Sequence, residues 1–224
     1  MAYFYKEFVD RTFESRVNEK SLYYNYTFPQ NEVLEYVYNI LEIPIQEIIE
    51  EIKNSDEEIQ LTAKDVMQFS SFDDATIRMC RVLKEIDNPG VTYIEAGKLL
   101  LNDGQKRKDG AYTKYGENHL KTSAIIGLTF ELTNTYFLSS LGQVVDVLDD
   151  DEAERLITRL ILRGSLVKRL IRASFNGKVD VRNMLYMLSD STYVRRKSNI
   201  KGVLKYLCKS AEYDFNPIIE KIVL

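Results

Sequence analysis

Apolar residues recur three and four positions apart through most of the chain, and this period, more than any other feature, restricts the fold to packed helices. Ile45, Ile48, Ile49 and Ile52 fall on one side of a helix, with Glu47, Glu50 and Glu51 on the other. An earlier stripe of Val33, Leu34, Val37, Tyr38 and Leu41 belongs to a helix opened by "FPQN" at 28–31 and ended by Pro44. With 224 residues, 45% of them hydrophobic, the chain can bury a substantial core. The expected class is mainly α with a few short strands.

Three regions are expected: an acidic helical region at 1–58 for partner or oligomer contact, a middle region at 59–148, and a basic region at 149–224. "NSDEE" at 54–58 reads as the first connection. From Leu61 onward short helices alternate with tight turns. Thr62 is placed to cap a helix over 63–69, "SSFDD" to form a turn, and Ala75 to Ile86 to form a second helix, in helix-turn-helix proportions. An internal repeat follows: "VTYIEAGKLL" matches "YFLSSLGQVV", with Gly97 against Gly142, and "FDDATIRMCRVL" matches "YGENHLKTSAII". In the second copy "LTFELTNTYFLSS" reads as two strands around Thr133-Asn134, the pattern of a wing. The middle region is therefore expected to hold tandem winged-helix-like units with short β wings.

The net charge of −4 conceals a division along the chain. Residues 1–102 hold 10 Lys+Arg against 19 Asp+Glu, a net of −9; residues 103–224 hold 20 against 15, a net of +5. Between Arg155 and Lys209 there are 14 cations against Asp180 and Asp190, a net of +12. Such a segment calls for an anionic partner.

Within it, "DVLDDDEAERLITRLILRGSLVKRLIRAS" has an acidic start and a basic end, the order favoured by the helix dipole, and Asn176-Gly177 breaks it. Val181 to Leu188 follows as a short helix, Ser189-Asp190-Ser191 as a capped turn, and Thr192 to Lys209 as a long helix, so this end of the chain reads as a helix-turn-helix. Tyr193, Ile200, Val203, Leu204 and Leu207 share its packed face; Lys197, Lys201, Lys205 and Lys209 recur every fourth residue on another. In a helix-turn-helix the second helix enters the major groove, its first residues meeting base edges, where Arg and Asn suit guanine and adenine. The expected DNA-binding set is Thr192, Tyr193, Arg195, Arg196, Lys197, Asn199, Lys201 and Lys205. A second set is Lys114, Tyr115, Asn118, His119 and Lys121 on the helix before the wing, with Thr133 and Asn134 at its tip. Lys106-Arg107-Lys108 is expected to touch phosphates without specificity.

"STYVRRKSNIKGVLKYL" resembles the helix-turn-helix pattern S-x-T-V-x-R-R-x-x-T-I-x-x-W-L-x-W-L of bacterial restriction-modification and related defence proteins. Ser191, Arg195, Arg196, Ile200, Leu204 and Leu207 carry the likeness, while Val203 and Tyr206 stand where the pattern has Trp. "AKDVMQFSSFDDATIRMCRVLKEI" and "YGENHLKTSAIIGL" resemble winged-helix units of the same group. The resemblance covers about residues 61–209. It implies sequence-specific binding of double-stranded DNA, as the targeting or regulatory component of a restriction-modification or phage-defence system beside a nuclease or methyltransferase partner, with a homo-oligomer also open.

No cofactor is expected: there is no P-loop and no Gly-rich dinucleotide turn. His119 is the single histidine and no G-x-S-x-G supplies a nucleophile, which sets triad hydrolysis aside. Glu51-Ile52-Lys53 has the E-x-K spacing of metal-dependent nucleases but sits on a helix, and Asp149 to Glu152 reads as a helix start; no metal is expected. Cys80 and Cys208 lie far apart and outside any CxxC. Apolar runs such as Ala124 to Leu128 are too short to span a bilayer, and Lys6, Glu7 and Asp10 stand where a signal peptide would be apolar, so a cytoplasmic, nucleoid-associated place away from membranes is expected. Two alternatives stay open: a small type II-like endonuclease with unrecognised carboxylates in the first 58 residues, and a helical scaffold that binds protein.

Overall fold

The computed structural model describes residues 30–56, 58–63, 65–66, 75–86 and 90–224. They form eleven helices and four short strands: α1 (Gln30–Glu42), α2 (Ile45–Asn54), α3 (Ala75–Glu85), α4 (Tyr93–Leu100), α5 (Asp109–Ile125), β1 (Thr129–Leu132), β2 (Thr135–Leu138), α6 (Ser140–Val144), α7 (Asp150–Arg163), α8 (Ser165–Phe175), β3 (Val179–Asp180), α9 (Val181–Met184), α10 (Asp190–Leu207), α11 (Asn216–Ile219) and β4 (Ile222–Val223). The protein is thus mainly helical, with a small two-stranded antiparallel sheet. The stretch "FP" expected to open α1, the turn at 70–74 and most of the helix expected over 63–69 lie outside the described residues.

The chain divides into two compact units interleaved in sequence, residues up to 38 with 74–150, and 39–73 with 151–224. In the first unit α3 buries Ile77, Met79, Cys80 and Leu83, and a single extended residue, Val91, then exchanges both backbone hydrogen bonds with Tyr136 of β2, each at 2.8 Å. Thr92 follows as the N-cap of α4; its N–H and hydroxyl both donate to the Glu95 carboxylate at 2.7 Å, closing a capping box. That bond holds the Glu95 carboxyl below its ordinary range. Helices α4 and α5 then cross backbone to backbone: a Cβ on Gly97 would stand 1.9 Å from the Tyr112 carbonyl oxygen, and one on Gly116 1.9 Å from that of Tyr93. Only glycine permits this approach.

After α5 the chain makes a hairpin, β1 pairing β2 in the register Thr129↔Leu138 to Leu132↔Thr135. Its two-residue turn, Thr133 (φ 53°) and Asn134 (φ 62°), has both residues left-handed, the type I′ geometry whose twist matches that of the flanking strands. The repeat explains the arrangement. Val91 and Tyr136 hold the same place in the two copies and pair with each other, and the second helix of each copy packs on the first helix of the other, α4 on α5 and α6 on α3. The copies interlock as one body instead of standing as tandem units.

In the second unit the buried isoleucine face of α2 packs on α8. Residues 39–66 therefore share a unit with 151–224, across the connection expected at 54–58. A cluster including Leu61, Val66, Leu170, Leu185, Ile200 and Leu204 forms the core beneath α10. The continuous helix expected over 146–174 is interrupted at Gly164, whose extended ψ of 133° makes it the N-cap of α8. β3 pairs in parallel with β4, and Asp180 caps α9 by accepting from the Asn183 N–H at 3.1 Å.

Candidate nucleic-acid interface

The turn between α9 and α10 is held by one side chain. Arg182 donates to the carbonyls of Leu185 and Leu188 at 3.2 Å and to Asp190 at 2.6 Å, while its guanidinium lies 5.2 Å from the centre of the Tyr193 ring. Ser189 closes the N-terminus of α10 by accepting from the Thr192 N–H. The helix is thus presented at a set angle on a packed base.

Its faces separate cleanly. Ile200, Val203, Leu204 and Leu207 are buried. Tyr193, expected among the DNA contacts, is 7% exposed and belongs to the core cluster, so that expectation is corrected: at helical spacing it falls beside Ile200 and Leu204. Thr192 is half-buried, its oxygen accepting from Ser189 at 2.9 Å and from Arg195 at 3.3 Å. Arg196 and Asn199 are half-buried on the flank. The residues turned fully outward on α10 are Asp190, which is paired with Arg182, and Ser191, Val194, Arg195, Ser198, Lys201 and Lys205; Lys209 is exposed in the turn that follows. Lys197 is also exposed, but one of its three donors is taken by the Leu224 carbonyl at 2.8 Å. Among the described residues Lys201, Lys205 and Lys209 form no ion pair.

Much of the +12 between 155 and 209 is committed inside the unit. Arg155 and Arg159 donate to the carbonyls of Ile40, Leu41 and Ile43 at the end of α1, at distances from 2.8 to 3.3 Å. Arg172 reaches Ser55, the C-cap of α2, and Arg169 reaches Ile59. Those of Ile40 and Leu41 lie in the last turn of α1, at the negative end of its dipole, and Ile43 and Ser55 directly follow a helix, whereas Ile59 lies in the non-helical segment after α2. Arg159 is 1% exposed and bonded to Glu212 at 2.5 and 2.9 Å, which Arg155 joins at 3.0 Å. Burial pushes the Glu212 carboxyl up, but the bonds from Arg159 and Arg155 outweigh it and hold the group below its ordinary range. These four arginines still add to the field, but their donors are engaged inside the unit, whereas Arg195, Lys201, Lys205 and Lys209 at α10, and Lys178 before it, are exposed.

In the first unit the second expected set is dispersed. His119 is 3% exposed with its ring 4.4 Å from that of Tyr115, and so is withdrawn from the expected contacts; it lies on the inner face of α5 with Leu120 and Ser123. Glu117 takes both neighbouring lysines, Lys114 at 3.1 Å and Lys121 at 2.7 Å, and Lys121 also lies over the Tyr93 ring. Asn118 and Tyr115 are half-buried. Arg107 is held by Asp103, leaving Lys106 and Lys108 exposed. Thr133 and Asn134 are exposed at the hairpin tip.

The other candidate chemistry is sparse. Among the described residues no three His, Cys, Asp or Glu side chains gather as a metal site, and Lys53 of the E-x-K pairs with Glu50 and lies over Phe175. Cys80 is buried, its thiol pushed up to about 12 by desolvation. No helix among the described residues is long and apolar enough to cross a membrane. Compared with protein-family models, curated proteins and solved structures, the chain matches none. Geometry is then the ground for a functional reading. It also supplies two residues that periodicity overlooked, Val194 at 69% and Tyr186 at 79% exposure; the sequence signal was an apolar residue off the packed stripe of α10, and an aromatic in a turn.

Proposed function

We propose that the protein binds double-stranded DNA through α10, as a sequence-specific targeting or regulatory component without catalysis of its own. The observation that carries this reading is the outward face of α10 and the turn after it, where Arg195, Lys201, Lys205 and Lys209 stand exposed on an arrangement braced by Arg182 that suits a helix-turn-helix. The first unit adds support. Its order of helix, paired extended residue, two helices and hairpin is that of a winged helix, and Thr133 and Asn134 would form the tip of the wing. The resemblance noted above suggests a restriction or phage-defence setting, with a separate nuclease or methyltransferase as partner protein and self-association as a further possibility.

Each phosphate neutralised releases counterions, so contact from the four cations Arg195, Lys201, Lys205 and Lys209 gives a slope of log affinity against log salt of about −3 to −4 per bound copy. Titration of a labelled duplex at several salt concentrations tests this. No affinity, or affinity indifferent to salt, ends the nucleic-acid reading. Arg195→Ala with Arg196→Ala should weaken binding more than Lys106→Ala with Lys108→Ala; equal losses would move the interface off α10. Cleavage of plasmid by the purified protein with magnesium would replace the reading with an endonuclease.

A further inference from the structure

In the first half of the outward face of α10 stands a residue that is not charged. Val194, Ser198, Lys201 and Lys205 recur at the spacing i, i+4, i+7, i+11 and form one exposed stripe. Its first member is apolar, β-branched and 69% exposed, although valine does not favour a helix. A lone surface valine needs no explanation by itself. Here, however, it stands in the first half of α10, next to Arg195, with Tyr186 exposed in the braced turn before the helix and cations along the rest of the face.

The duplex surface that complements this order is specific. Among base edges in the major groove the thymine 5-methyl is the apolar group, and a short side chain on an inserted helix packs against it; long cations farther along reach phosphates, and a guanidinium in between can bond guanine. Val194 has a stiff χ1, so it would lose little freedom on contact. We infer, resting on the DNA-binding reading above, that Val194 is a base-reading residue that packs on a thymine methyl group, with Ser191, Arg195 and Ser198 around it, and that Arg196 and Asn199 on the half-buried flank are not the principal readers.

The test uses the full chain. Duplexes are selected from a random pool, and in the enriched site each thymine is replaced in turn by deoxyuridine, which lacks only the methyl group. At one position the unaltered protein should bind deoxyuridine about three- to five-fold more weakly, the worth of one buried methyl. Val194→Ala should bind both bases equally there, with a melting temperature close to that of the parent because the site is exposed. Equal binding of thymine and deoxyuridine at every position by the unaltered protein overturns the inference, as does discrimination that persists in Val194→Ala. Binding with no enriched sequence also overturns it, together with the sequence specificity proposed above, while leaving duplex binding itself intact. Failure to bind any duplex at low salt removes that reading, and the inference with it. Self-association abolished by Val194→Ala, with duplex affinity unchanged, would assign the surface to a second copy of the chain.

Discussion

Glycine and arginine carry the decisions made at the scale of single residues. Gly97 and Gly116 hold α4 and α5 at backbone contact, where an added methyl would meet a carbonyl oxygen at 1.9 Å. Gly97→Ala or Gly116→Ala should each cost about 2–3 kcal/mol or more, since the obstacle is backbone and cannot rotate away; denaturant unfolding reads this, and an unchanged midpoint would mean that the helices are not so close. Arg159 and Glu212 form a pair whose disruption strands a buried guanidinium. Because the folded-state carboxyl of Glu212 lies below its unfolded value of about 4.3, the pair's contribution is present above that pH and lost as pH falls through the folded value. Glu212→Gln should therefore lower stability at neutral pH and flatten the acid limb of the stability profile. Retention of the full acid limb in that variant would assign the limb to other carboxylates.

At the scale of elements, the amphipathic helices were legible from spacing alone: the buried Ile45, Ile48, Ile49 and Ile52, and the packed face of α10, are as the period predicts. The hairpin was legible too, because Thr133-Asn134 separates two β-rich runs. Its cost was not. A β-branched residue with positive φ is strained, and Thr133→Asn with Asn134→Gly, residues suited to a type I′ turn, should raise stability by about 0.5–1 kcal/mol, seen as a higher thermal midpoint. A lower midpoint would show that the threonine makes a contact worth more than its strain. The break at Gly164 was missed because the apolar period runs through it, whereas a ψ of 133° leaves that residue outside both helices.

At the scale of the molecule, chain order and spatial order part company. Residues 39–66 complete the unit built by 151–224, where carbonyls of Ile40, Leu41, Ile43, Ser55 and Ile59 receive four arginines. A fragment of residues 149–224 alone would lose the carbonyls that receive those guanidiniums, leaving Arg155 and Arg159 with Glu212, and would uncover the face of α8 beneath α2. It should unfold without a cooperative transition, while a mixture with a 39–66 peptide should regain one; a sharp two-state melt of the fragment alone would refute the dependence.

By itself the sequence determined the helical class, the hairpin, the capped turn before α10 and which side of that helix carries lysine, because each depends on residues a few positions apart. Tertiary structure alone decided which cations remain available. Local composition counts Arg155 and Lys205 alike, but one faces the open carbonyls of a helix end more than a hundred residues away and the other faces solvent, and only the folded chain brings such groups within hydrogen-bond range.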